Sequence, residues 1–151
     1  MTVALRRSWG RDLDPATLYA LLTLRVDVFV VEQCCPYPDL DGRDLDATTR
    51  HFWLEKAGGE VISTLRLMEE YPHDRPLFRI GRVCTRASER GHGHTDRLMQ
   101  AALAEVGSHP CRLSAQSYLV DMYARYGFAQ DGDEFVEDGI AHVPMLREPR
   151  R

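Results

Sequence analysis

The run Arg90-Gly91-His92-Gly93-His94-Thr95 leads into Asp96-Arg97-Leu98-Met99 and follows Arg82-Val83-Cys84-Thr85. The order is that of a strand, a turn and a helix that opens on glycine. The first N–H groups of a helix have no partner inside it. Glycine lets another molecule approach that bare backbone closely, and the helix dipole adds roughly half a positive charge at the same end. Together these form a socket for a phosphate or pyrophosphate. The competing account is a strand-to-helix turn that needs glycine for geometry alone. The spacing is neither Gly-x-Gly-x-x-Gly nor the Gly-Lys-Ser/Thr pattern, which disfavours dinucleotides and nucleoside triphosphates as ligands. About 30 residues downstream stands Tyr123-Ala124-Arg125-Tyr126-Gly127-Phe128, which brings phenols and a glycine stop.

The elements that must position these residues are legible from periodicity. Asp14-Pro15 predicts a helix start, with Leu18, Leu21, Leu22 and Phe29 as its stripe. An acidic loop covers residues 36–46. Apolar runs at 52–57 and 60–67 flank Gly58-Gly59, a hairpin signal. Residues 71–76 predict a loop and 78–85 a strand. Leu98, Met99, Ala102, Leu103 and Val106 recur at helical spacing. A short strand is expected at 111–115, a short helix at 119–126 ending on Gly127, and a second hairpin around Asp138-Gly139. This order predicts a single α/β domain over residues 1–151, a mixed sheet with helices on its faces.

Composition narrows the function classes. At 151 residues, 44% hydrophobic and 28% charged, the chain is of ordinary globular type. It has no apolar run near the roughly 18 residues that span a bilayer and no signal-peptide core, so a cytoplasmic, non-membrane protein is expected. Cys34, Cys35, Cys84 and Cys111 match neither a disulfide framework nor a zinc spacing, and no metal is expected. A net charge of −4 disfavours nucleic acid as a partner. Lys56 is the only lysine, so positive charge comes as planar, multi-donor guanidinium groups. The stretch from Asp39 to Asp46 superficially suggests a calcium loop, but Gly42 is misplaced and position 48 is Thr. A solvated acidic loop is expected instead, with Asp41 and Asp44 drawing a cationic amine toward the protein.

The glycine turn and the Tyr123 segment together resemble the GNAT-type N-acetyltransferases. In that family Arg/Gln-x-x-Gly-x-Gly/Ala lies on the acetyl-CoA pyrophosphate, and Tyr-x-x-x-Gly-Phe follows on the next helix. Here the motif ends on Thr95 where the family has Gly or Ala. Upstream and downstream blocks are similar to the ElaA branch: Phe29-Val30-Val31-Glu32-Gln33-Cys34-Cys35-Pro36-Tyr37-Pro38-Asp39-Leu40-Asp41-Gly42, Arg50-His51-Phe52, Ile80-Gly81-Arg82-Val83, Ala115-Gln116 and Glu137-Asp138-Gly139-Ile140-Ala141-His142.

The resemblance implies a GNAT fold, whose mostly antiparallel sheet is splayed at its middle with helices on both faces. It implies acetyl-CoA as cosubstrate, no metal, an amine acceptor on a small molecule or peptide, and direct acetyl transfer. A homodimer is compatible with it. Cofactor binding falls to Val83, Cys84 and Thr85 along the pantetheine arm, and to Arg90, Gly91, His92, Gly93, His94 and Thr95 at the pyrophosphate. Tyr123 matches the family's general acid. A phenol near pKa 10 gives its proton to a thiolate near 8.5 at a cost of about 2 kcal/mol, so a hydrogen bond to the departing sulfur suffices. An alkylammonium near 10.4 must first lose a proton, a deficit of about 4 kcal/mol at pH 7. Glu32 is favoured as the base, its pKa raised by burial at an apolar helix end. His51, Glu137 and His142 are the alternatives. A non-catalytic acyl-CoA-binding sensor, or a donor such as succinyl- or propionyl-CoA, is the competing function.

Overall fold

Asp14 starts the first helix as its type predicts: Oδ1 accepts the Thr17 N–H at 2.7 Å, and Pro15 takes the first helical position. The computed structural model describes residues 2–149. Strand β1 (Val3–Trp9) is followed by helix α1 (Pro15–Val26), which widens without a break into a π-helical turn, Asp27–Glu32. After a long loop come β2 (Thr49–Lys56), β3 (Val61–Glu70) and β4 (Leu77–Thr85). Helix α2 (His94–Val106), β5 (Cys111–Gln116) and the short helix α3 (Val120–Ala124) follow. β6 (Ala129–Gln130), β7 (Phe135–Glu137) and β8 (Ile140–Arg147) close the chain.

The strands form one sheet in the order β1-β2-β3-β4-β5-β8-β6, with β7 paired to β8. The pairings are antiparallel except β4 with β5. The mixed, mostly antiparallel sheet expected from sequence is therefore present. β1 was not legible in the sequence: Arg6 and Arg7 interrupt its alternation, yet it pairs with β2 from Val3–Lys56 to Trp9–Arg50.

Two apolar layers cover the sheet. Leu98, Met99, Ala102, Leu103 and Val106 of α2 pack with Phe52, Leu54, Ile62, Leu65 and Leu67 on one face. Leu21, Leu24 and Val28 pack with Trp53, Val61 and Cys84 on the other. The alternation of Phe52, Trp53 and Leu54 between the two layers is the period of a strand buried on both faces.

The loop between the π-helical turn and β2 departs from expectation. Asp39 and Asp44 are buried, as are Arg25 and Arg66. Arg25 donates from Nε to Asp39 Oδ2 at 3.0 Å and from Nη1 to Asp44 Oδ1 at 2.6 Å. Arg66 donates to Asp41 and Asp44 at 2.8–3.0 Å. Arg82 Nε lies 3.0 Å from Asp39 Oδ1. Three guanidinium groups thus offset three carboxylates. The expected solvated loop that draws a cationic amine is corrected accordingly: the charge of Asp41 and Asp44 is spent on Arg25, Arg66 and Arg82. Burial pushes the Asp44 carboxyl up, but the Arg25 and Arg66 groups overcome it and hold it below the ordinary value. Asp41 is likewise held low against its burial by Arg66, the Arg43 N–H and Arg82.

Arg25→Met leaves two buried carboxylates short of a partner and is expected to lower unfolding stability by about 3–5 kcal/mol, read from the denaturant midpoint. The lowered carboxyl values of Asp41 and Asp44 contribute stability that is fully present above the unfolded carboxyl value near 3.9. That contribution is lost as pH falls below it, so the wild-type midpoint should drop under acid below about pH 4.

Candidate functional site

The site begins where β4 leaves its neighbour. β5 pairs β4 at only two positions, Phe78–Cys111 and Arg79–Arg112. Further along, β5 continues on β8 while β4 continues on β3, and the two strands part. The cause is local. Arg66 faces Gly81 and Thr64 faces Cys84, so β4 carries one residue more than β3 across this stretch. Arg82 sits in that bulge at φ +52°, a conformation a non-glycine residue adopts at a cost. Its guanidinium is anchored: Nη2 donates to the Asp39 carbonyl at 3.0 Å and stands within 3.3 Å of Asp41 Oδ2, and the group lies 5.6 Å from the Tyr37 ring. At the far lip, Gln33 and Gln116 exchange amide hydrogen bonds at 3.2 and 3.3 Å, tying the end of the π-helical turn to the tip of β5. The parted strands enclose a cleft of about 950 Å³.

At one end of the cleft a bare helix N-terminus faces open space. The N-terminus of α2 opens on Gly93 at φ +76°, with Gly91 at φ +83° before it, and no side chain caps it. A Cβ at either glycine would meet no atom within 4 Å, so the glycines answer a backbone demand and leave open space in front of the bare N–H groups. Arg90, Gly91, Gly93, His94 and Thr95 all line the cleft. Thr95 Oγ1 stands 3.3 Å from Thr85 Oγ1, which is 2.7 Å from Ser63 Oγ. His94 Nδ1 is buried with no hydrogen-bond partner among the described residues. Bare N–H groups, a guanidinium and an unpartnered imidazole nitrogen fit a diphosphate. His92 does not reach the wall: it is exposed, its ring 6.0 Å from that of His94.

Val83, Cys84 and Thr85 line the middle of the cleft on the side that β5 has left. The Cys84 carbonyl accepts from Ser63 Oγ at 3.1 Å and the Thr85 carbonyl from Arg90 Nε at 3.1 Å. The Cys84 thiol is buried, and burial pushes it up to about 12. Tyr123 also lines the cleft, buried and edge-on to Phe128 at 6.4 Å. Burial pushes its phenol above the ordinary value.

Of the four carboxylate and imidazole candidates, three line the cleft and His51 does not. Glu32 lines the cleft, but its side chain is 40% exposed and bridges Arg90 through bonds of 2.6 and 2.8 Å. Arg90 holds its carboxyl below the ordinary value, so the raised pKa expected from sequence is corrected: the helix end it occupies is open, and a guanidinium faces it. His51 is buried beside the Asp44 carbonyl at 3.0 Å, away from the cleft wall, and burial lowers its pKa. Glu137 and His142 both line the cleft. Sequence reasoning missed Arg82 as the bulge, the Gln33–Gln116 bridge and the π-helical turn. Gly81 is a faint signal for the first. A π-helical turn leaves no residue-type signature.

A family model described as an acetyltransferase (GNAT) domain matches residues 25–149. A UPF0039 protein of Mycobacterium tuberculosis is 66% identical over 147 residues, covering 97% of this chain and 94% of its own length. Protein ElaA of Escherichia coli is 38% identical over 141 residues, covering 91% of each. Among solved structures, an acyl-CoA N-acyltransferase from Pseudomonas aeruginosa superposes with a TM-score of 0.90 at 38% identity, over 97% of this chain and 99% of that one. The Escherichia coli ElaA structure superposes with a TM-score of 0.86 at 34% identity, over 97% and 100%.

The cysteines offer a direct check on the cleft wall. Cys34 is exposed, whereas Cys35, Cys84 and Cys111 are buried. In the native protein iodoacetamide should label Cys34 rapidly and spare Cys84, as peptide mass mapping would read; rapid native labelling of Cys84 would contradict the burial.

Proposed function

This chain belongs to the GNAT acetyltransferase family, and on that premise we propose that it transfers an acetyl group from acetyl-CoA to the amine of a small molecule or a peptide by direct attack. The observation that carries the proposal is the juxtaposition, in one cleft, of an uncapped helix N-terminus, the open edge of β4 and a buried tyrosine. The family uses acyl-CoA. Arg90, Gly91, Gly93, His94 and Thr95 would hold the pyrophosphate, with His92 at the rim. Backbone groups at Val83, Cys84 and Thr85 would receive the pantetheine arm as an added strand partner.

Direct attack is favoured over an acyl-enzyme because no activated thiol faces the cleft. Cys84 keeps its proton, and Cys35 donates its own to the Asp138 carbonyl at 3.1 Å. Tyr123 is the hydrogen-bond donor for the departing sulfur. Its raised value makes full proton transfer steeper than the free phenol's deficit of about 2 kcal/mol, so its contribution is a bond that strengthens as negative charge develops on sulfur. Glu32 serves the cofactor end: it holds the Arg90 guanidinium over the mouth of the socket, where a pyrophosphate can share it.

Tyr123→Phe should lower kcat by roughly tens- to hundreds-fold while the CoA Kd stays unchanged. An unaltered kcat would remove Tyr123 from the reaction. Tight CoA binding by a wild-type protein that acetylates no amine would favour a non-catalytic acyl-CoA sensor instead.

A further inference from the structure

We propose that His142 is the base that takes the proton from the acceptor amine, through Nε2. This rests on the acyl transfer proposed above and names the group that makes the amine reactive.

The geometry singles out this ring. His142 lies on β8 directly opposite Gln116, the last residue of β5, at the edge where the sheet has parted. It lines the same cleft as Tyr123 and Val83. Its Nδ1 stands 2.8 Å from the Ile140 carbonyl oxygen. A carbonyl oxygen only accepts, so Nδ1 carries the proton and Nε2 keeps its lone pair. Phe135 stacks on the ring at 5.6 Å and 19° between planes, which fixes the imidazole orientation from the side. Tautomer and plane are thus both set before any acceptor arrives.

Two of the other candidates are otherwise engaged, and the third, Glu137, lines the cleft beside His142 on the same hairpin. Glu32 is bound bidentately by Arg90, and His51 is buried against the Asp44 carbonyl outside the cleft. The charged neighbours of His142 are Glu137 and Asp138 on its own hairpin, while β5 faces it with uncharged Ser114 and Gln116. Those carboxylates suit the approach of a cation to the ring.

The step balances. The alkylammonium gives one proton to Nε2. The neutral nitrogen then bonds to the acyl carbon as the carbon–sulfur bond breaks, and the second N–H proton ends on the sulfur beside Tyr123. The imidazolium returns its proton to solvent. Nε2 is the only ring position free for this exchange, because Nδ1 is committed to Ile140.

The test compares acceptors rather than variants alone. Wild type, His142→Gln and His142→Ala would be assayed with acetyl-CoA against primary alkyl amines, protonated at pH 7, and aryl amines, neutral there. The expected loss in kcat/KM for His142→Gln is roughly 10²-fold with alkyl amines and far smaller with aryl amines. Free imidazole should restore part of the alkyl-amine rate to His142→Ala. The CoA Kd should be unchanged in both. An equal loss across both amine classes, or no loss with alkyl amines, overturns the assignment. A wild type that acetylates neither class overturns the proposed transfer itself, and the role of His142 with it.

Discussion

Two backbone pairings are all that join β4 to β5, and the functional architecture follows from their being so few. Had the parallel pairing continued past Arg79, the backbone of residues 80–85 would be consumed by the sheet. The added residue at Arg82 prevents that. A non-glycine residue at positive φ costs on the order of 1–3 kcal/mol, so something must hold it there. What holds it is the loop across the cleft: the Asp39 carbonyl and the Asp39 and Asp41 carboxylates receive the Arg82 guanidinium. Arg25 and Arg66 neutralise those same acids. Buried ion pairs are poor sources of net stability because desolvation offsets their attraction. Their effect here is geometric, since they tie the acidic loop, α1 and the bulge into one unit.

Stability and chemistry are kept on separate surfaces of the same elements. Helix α2 buries an apolar stripe on the sheet and leaves its N-terminus bare. Strand β4 pairs with β3 on either side of the bulge and leaves its other edge open beyond Arg79. Tyr123 belongs to the apolar layer and also to the cleft wall. The α2 N-terminus, the open edge of β4 and Tyr123 are each held by contacts within the chain, which is the condition for preorganised electrostatics.

Local signals were legible and long-range ones were not. Asp14-Pro15, the Gly58-Gly59 and Asp138-Gly139 hairpins and the α2 stripe depend on neighbours in sequence, and each stands where periodicity put it. The glycine turn was readable because φ > 0 demands glycine at positions 91 and 93. β1 was not, since its two arginines break the alternation and only pairing with β2 makes it a strand. The acidic loop was misjudged for the same reason: its partners Arg25, Arg66 and Arg82 come from three other elements. Glu32 shows the limit most clearly. Its place at an apolar helix end suggested burial, but Arg90, 58 residues away in sequence, decides its charge.

On the proposed function, the parted sheet and the bare α2 N-terminus form one acyl-CoA site. Titration calorimetry with CoA and acetyl-CoA tests it most directly, on wild type and on Arg90→Ala/His92→Ala/Thr95→Ala. Micromolar binding to wild type, weakened strongly in the triple variant, is the predicted result. No binding below about millimolar, or binding indifferent to the three changes, would mean that the glycine turn serves geometry alone and that the cleft has another purpose.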